Sequence, residues 1–296
     1  MMSKSQLVES KISQVAVEIG VRARKALLEE VVTTPKPGLV DFYSSGAHND
    51  MDIHTFRKSA DALFPYFIYM AEQGYTLLCT PQELFQAIRK TGIAAEQAMY
   101  QATDGVNTHK GLIFTIGIFC AVAGRCLREK NGEICLETLI QMEQEMVSDT
   151  LKKELITIYT GNAVSHGEKN LKKYGRTGVR GEAIDGYPAV VNIAIPVMQK
   201  GLKEKKDWNR VKLQTLFVLM SEVEDSNVLA RHNPQVLREV QKEAKYFIES
   251  GGAYSQNAIA KLCYMDTDYI RKNISSGGCA DLLATAIFIV LLLERW

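Results

Sequence analysis

The amino-acid sequence predicts an all-α protein, a single compact domain of about ten helices joined by long functional loops. Three observations predict it. Apolar residues recur at three- and four-residue spacing over long segments. Helix-start signals recur along the chain, at Thr80, Asp207 and Asn233. No run alternates apolar and polar residues between hairpin turns, as half-buried strands would. No linker or internal repeat divides the chain, so residues 1–296 are expected to form one domain.

The elements follow in order. Over Ser5–Val32, the residues Leu7, Val8, Ile12, Val15, Ile19, Ala23, Ala26 and Leu27 fall on one stripe, which predicts a long amphipathic helix. Thr80-Pro81-Gln82-Glu83 is a capping box with proline at the first helical position, so a helix starts there and runs through Leu84, Ile88 and Met99. Leu112–Ala123 and Leu282–Leu293 are apolar all round. Each is shorter than the ~20 residues that span a bilayer, so both are expected to be buried helices. Asp207 and Asn233 are expected to cap two further helices.

Bulk charge narrows the function. Thirty-five basic residues against 34 acidic ones leave a net charge of +1. No global field draws such a chain to nucleic acid or to an anionic membrane, so neither is expected as a partner. Six cysteines without a CxxC pair are expected to be buried thiols rather than disulfides or zinc ligands. The first residues, MMSKSQLVESKISQVAV, lack the apolar core of a signal peptide. A cytoplasmic protein is expected.

The helical pattern breaks at five polar connections: 33–52, 103–111, 165–188, 222–233 and 273–281. Connections this long inside a helical domain usually carry function, and five of them suggest one shared site. In the first, two prolines stiffen the backbone around Lys36, and Gly38 permits a tight turn or close ligand approach. Asp41, His48 and Asp50 follow, and Asp50 or Asp52 is equally suited to capping the next helix. In the second, Asn107, Thr108, His109 and Lys110 offer donors at a helix N-terminus, where an anion is favoured. In the third, Arg176 and Arg180 stand four apart in a Gly-rich stretch beside Glu168, Glu182 and Asp185. That stretch suits phosphate oxygens and reads as the longest irregular segment of the chain. In the fourth, Glu222, Glu224 and Asp225 read as carboxylates at a helix C-terminus, a disfavoured placement that suggests a cation or polar ligand. The fifth opens the last helix, with Asp281 near its start. No covalent nucleophile stands out, and the GxxxxGK[ST] spacing of a Walker A loop is absent.

Five stretches resemble the triphosphoribosyl-dephospho-coenzyme A synthase family: TPKPGLVDFYSSGAHNDMD (34–52), DGVNTHKGLIFTIG (104–117), SHGE with YGRTGVRGEA (165–168 and 174–183), DSNVL (225–229) and SSGGCADLLA (275–284). They stand in the family's order. The chain departs from the family pattern at Ala230-Arg231-His232-Asn233, at Ser276 and at Cys279. The resemblance implies a pentosyltransferase that moves the 5-triphosphoribosyl group of ATP to the ribose 2′-hydroxyl of 3′-dephospho-CoA. Adenine departs, and the product becomes the prosthetic-group precursor of citrate lyase. Inversion at the anomeric carbon in one displacement is implied, so no enzyme nucleophile is needed.

On that reading Lys36, Lys110, Arg176 and Arg180 hold the triphosphate. Mg²⁺, expected with ATP, is shared among Asp41, Asp50, Glu168 and Asp225. Asp225 or Glu182 takes the hydroxyl proton or faces the oxocarbenium ion, and His109 or His166 protonates adenine. Gly38, His48, Asn107, Thr108, Asn227, Gly277 and Asp281 are further substrate contacts. A separate carrier-protein transferase is expected to take the product. The alternatives are the same reaction serving malonate decarboxylase, a metal-dependent nucleotide N-glycohydrolase, and a nucleotide sensor without catalysis.

Overall fold

The computed structural model describes residues 12–129, 133–161 and 165–294. Among these residues every regular element is helical. In chain order they are α1 (Gln14–Val31), α2 (Ile53–Thr76), α3 (Pro81–Ala102), α4 (Lys110–Glu129), α5 (Leu136–Thr160), α6 (His166–Tyr174), α7 (Gly178–Ile184), α8 (Ile195–Lys203), α9 (Trp208–Glu222), α10 (Ser226–Arg231), α11 (Pro234–Glu249), α12 (Ala258–Lys272) and α13 (Gly277–Leu293). Thirteen α-helices thus stand where about ten are expected. The extra ones are short and lie inside segments that read as loops.

The predicted starts are in place. Thr80 and Glu83 close a reciprocal capping box at α3, while Asp207 and Asn233 cap α9 and α11. Of the two candidates before α2 it is Asp52 that caps the helix, which leaves Asp50 free of that duty. The Ser5–Val32 stripe appears as α1 from Gln14 onward; its residues 5–11 lie outside the described residues.

The 165–188 segment corrects the loop reading, because it folds into α6 and α7. Ser165 Oγ accepts from the Glu168 N–H at 3.3 Å, and Glu168 Oε2 accepts from the Ser165 N–H at 3.0 Å. That capping box starts α6, and Gly175 ends it in the left-handed region at φ 69°. The 222–233 segment likewise holds α10. Asp225 does not sit at a helix C-terminus; it is the N-cap of α10, where its charge suits the helix dipole.

The core is built on α4 and α13, which are buried on nearly every side and pack against each other. Around α4 lie α1, α2, α3 and α5, whereas α13 is flanked by α1, α9 and α10. By length and composition α4 could cross a membrane, but 83% of its most apolar stretch is buried against neighbouring helices. Its composition is that of a core helix.

α2 and α4 touch backbone to backbone. A Cβ at Gly74 would lie 1.9 Å from the Ala121 carbonyl oxygen, and one at Gly124 would lie 2.2 Å from the Ala71 oxygen. Gly74→Ala must push the two helices apart, and urea unfolding is expected to show a loss of about 1–3 kcal/mol. Wild-type stability in this variant would mean that the crossing can slide without cost.

A connecting segment between α7 and α8, Val190–Ala194, winds as a π-helix. Pro196 has no N–H for the Asn192 carbonyl and its ring crowds that oxygen, which accounts for the wider turn. Asn192 is thereby placed on the wall of the site.

Candidate active site

All five polar connections meet at one open cleft of about 1210 Å³, although they are spread over some 250 residues of chain. The N-termini of α4, α10 and α13 converge on it. Free N–H groups and helix dipoles therefore add positive potential to its floor. Among the sequence candidates, Lys36, His48, Asp50, Asn107, Thr108, Lys110, Arg176, Arg180, Glu182, Asp225, Asn227, Gly277 and Asp281 line the cleft.

The others stand elsewhere. Gly38, at φ 69°, packs against the Ile274 carbonyl, and its N–H donates to Asp266 Oδ1 at 2.8 Å. Its freedom is used by the turn. Asp41 is buried within its own loop, accepting from the N–H groups of Lys36 (2.8 Å), Tyr43 (2.8 Å) and Ser44 (2.9 Å). Glu168 caps α6 and borders a separate shallow groove with Arg180 and Glu154. His109 lies behind the cleft wall, 1% exposed. His166 opens α6, but its side chain lies outside the described residues.

Every predicted phosphate-binding cation already has a carboxylate partner. The Lys36 ammonium is buried, donating to the Glu30 carbonyl at 2.9 Å and pairing with the Glu30 carboxylate. Lys110 pairs with Glu96, Arg176 with Glu224 at 2.5 Å, and Arg180 reaches Glu154 at 4.0 Å. The three cations other than Lys36 are partly exposed, so their pairs are weak and exchangeable for a stronger anion. Lys36 is held for the fold as much as for a ligand.

The carboxylates sort by how their lone pairs are used. Asp225 Oδ1 accepts from the N–H groups of Asn227 (2.8 Å) and Val228 (3.1 Å), while Oδ2 accepts from Cys279 at 2.7 Å. It ties the start of α10 to the start of α13, and its burial raises its pKa against the pull of those N–H groups. Glu182 accepts from the Ala189 N–H at 3.2 Å; burial raises its pKa too, and Asp185 adds to the effect. Among the described residues no hydrogen bond reaches the Asp281 carboxyl group. It sits over Gly111 at the start of α4, where a Cβ would lie 2.4 Å from its Oδ2. Burial first, then Glu30 and Asp225, push its pKa well above the ordinary value.

Four cleft residues escaped the sequence reading. Arg231 ties its own segment to two others of the site: it donates to the Ala47 carbonyl at 2.9 Å, to Asn273 Oδ1 at 2.9 Å and to His48 Nδ1 at 3.1 Å. His48 Nε2 then faces Ser275 Oγ at 3.1 Å, and burial with the Arg231 charge lowers the imidazole pKa. Glu30 and Asn192 carried no signal, since one lies in a helical stripe and the other in an apolar run. Asn170 holds the Ser226 carbonyl through Nδ2 at 2.9 Å. The capping box at Ser165 was the clue that would have placed it on a helix.

The expected metal carboxylates do not converge. Asp41 is tied into its loop, Glu168 lies at the other groove, Asp225 lines the cleft with its oxygens held by backbone N–H groups, and Asp50, 63% exposed, faces the cleft. Among the described residues no group of three His, Cys, Asp or Glu side chains is arranged to hold a metal ion. The cleft is nonetheless rich in acid: five Lys and Arg side chains face eight carboxylates. A polyphosphate entering alone would meet repulsion, so the lining suits an anion that brings its own cation.

Comparison with known proteins gives a consistent picture. A family model described as ATP:dephospho-CoA triphosphoribosyl transferase matches residues 16–296. A 2-(5''-triphosphoribosyl)-3'-dephosphocoenzyme-A synthase of Pectobacterium atrosepticum is 38% identical over 283 residues, 95% of this chain and 91% of the relative. One of the same name from Escherichia fergusonii is 37% identical over 266 residues, covering 90% and 88%. Another from Klebsiella pneumoniae is 36% identical over 275 residues, covering 93% and 90%. No solved structure matches the chain.

Proposed function

The chain belongs to the ATP:dephospho-CoA triphosphoribosyl transferase family, and we propose that it moves the 5-triphosphoribosyl group of ATP to the ribose 2′-hydroxyl of 3′-dephospho-CoA, releasing adenine. The observation that carries this reading is the convergence of five polar connections on one cleft with room for two nucleotide-sized ligands. A transferase must hold donor and acceptor together, and a cleft shared by so many segments allows that.

In the proposed reaction the acceptor oxygen attacks the anomeric carbon as the bond to adenine N9 breaks. Positive charge grows on the sugar, and the carboxylates of the floor favour it. Asp281 takes the hydroxyl proton, because, of Glu30, Asp225 and Asp281, its carboxyl group is the one not bonded to a backbone N–H or a cation among the described residues. Adenine leaves with the N9 electron pair and gains one proton, so the sum of protons is unchanged. His109 is unsuited to supply that proton directly, being neutral and walled off. Arg176, Arg180 and Lys110 hold the triphosphate by exchanging their carboxylate partners for it.

Mg²⁺ is proposed to enter on the triphosphate, with Asp50 as its protein carboxylate. This ion keeps several waters and needs only one or two protein ligands. It would offset phosphate charge in an acid-rich cleft. The product is proposed to serve as the prosthetic-group precursor of citrate lyase, handed to a separate carrier-protein transferase.

The test is adenine release by purified protein with ATP and Mg²⁺, with and without 3′-dephospho-CoA. Adenine is expected only with the acceptor, together with a triphosphoribosylated product. Adenine without acceptor would make the chain a hydrolase. No adenine in either reaction, from folded protein, would end the proposal.

A further inference from the structure

Beside the start of α4, a polar chain runs from the cleft into the core. Thr108 lines the cleft, and its hydroxyl donates to Ser59 Oγ on α2 at 2.7 Å. Ser59 Oγ lies 2.7 Å from His109 Nδ1. Beyond that point the chain is sealed. The His109 ring stands edge-to-face with Phe56 at 4.9 Å, and Nε2 is buried without a hydrogen-bond partner.

Of the two proton orders that fit these distances, the one in which Thr108 donates to Ser59 turns the Ser59 proton to the ring. Nδ1 must then be a bare acceptor, and Nε2 carries the ring proton. Burial first, and then the nearby Lys36 charge, lower the imidazole pKa to about 3, so the ring stays neutral at ordinary pH. With its proton turned inward, the Thr108 oxygen presents only lone pairs to the cleft.

We propose that Thr108 is a committed hydrogen-bond acceptor in the cleft wall, and that it selects a ribose hydroxyl of the bound nucleotide. Ser59 and His109 are positioning residues that fix its polarity. The inference rests on the nucleotide reading above, and it reverses the donor role that the sequence suggests for Thr108. A deprotonated phosphate oxygen would set acceptor against acceptor there, whereas a hydroxyl satisfies it. Lys110 and the free N–H groups of α4 lie two residues away, on the side where the triphosphate is held. The sugar next to that triphosphate is the group within reach.

The test uses calorimetric binding of ATP, 2′-deoxy-ATP, 3′-deoxy-ATP and the analogue lacking the exocyclic amine, with Mg²⁺, to wild type, Thr108→Val and Ser59→Ala. One deoxy nucleotide is expected to bind wild type about three- to tenfold more weakly than ATP. Thr108→Val is expected to bind that nucleotide and ATP equally. Ser59→Ala leaves the Thr108 hydroxyl free to turn outward, so it too should lose most of the discrimination. Nitrogen NMR of labelled histidine should show the His109 ring protonated at Nε2 and bare at Nδ1, unchanged between about pH 6 and pH 8.

Equal wild-type affinity for both deoxy nucleotides, a penalty only for the analogue without the amine, discrimination that survives in Thr108→Val, or a proton on Nδ1 would each overturn the inference. A wild type that fails to bind ATP at all would overturn the nucleotide reading and this inference with it.

Discussion

Asp281→Asn is expected to lower turnover by about 10²–10⁴-fold while ATP binding changes little, because a positioned proton acceptor contributes that much to a rate. Two neighbouring carboxylates of the cleft are already engaged. Asp225 spends its oxygens on three backbone N–H groups, and Glu30 is paired with Lys36. Asp281 alone among these three keeps its lone pairs for the cleft. Asparagine fills the same space over Gly111, so the fold should tolerate it.

The pH profile separates chemistry from packing. Burial, Glu30 and Asp225 raise the Asp281 pKa, and the ionised form is the one that accepts a proton. The wild-type rate should therefore fall as pH drops through that raised value. The variant should lose this acid limb. Turnover within about threefold of wild type, or an equal loss in ATP affinity, would remove Asp281 from the proton-accepting role.

The second large effect is on stability. Glu143 of α5 is fully buried with both carboxyl oxygens unpartnered, and burial raises its pKa from 4.5 to about 9. In the folded protein it holds its proton where the unfolded chain has released it. A raised pKa of this kind gives stability that is fully present below pH 4.5 and is lost as pH climbs toward 9. The loss is about 1.4 kcal/mol per pH unit, or roughly 3 kcal/mol by neutral pH, as an order of magnitude.

Glu143→Gln cannot ionise and should escape this loss. Its stability relative to wild type should rise with pH by about 1 kcal/mol per unit, measured by urea unfolding across about pH 5.5–8.5. Parallel pH profiles for the two proteins would show that Glu143 carries no such penalty.

Much of the fold was legible locally. A helix start depends on one side chain reaching an N–H three residues on, so the Thr80, Asp207 and Asn233 caps could be read from sequence. The apolar Leu112–Ala123 and Leu282–Leu293 runs likewise announced the two core helices. The same logic was available at Ser165-His166-Gly167-Glu168, but there the surrounding glycines masked the capping box and the helix was read as loop. The convergence of the five connections was suggested by their shared polarity, and the cleft brings them together.

The partners of each side chain were not legible, because they come from segments far apart in the chain. Glu30 meets Lys36 at the end of a helix whose pattern shows only its buried stripe. Arg231 meets His48 across 183 residues, and Cys279 meets Asp225 across 54. Helix type, caps and the polar breaks are set by interactions within a few residues, so the sequence by itself determined the all-helical class and the polar segments that line the cleft. Which carboxylate stays unpaired and which histidine is sealed depend on contacts that exist only when α1, α2, α4, α10 and α13 are packed together. The tertiary structure decided those, since burial and long-range partners set both the free lone pairs and the proton affinities.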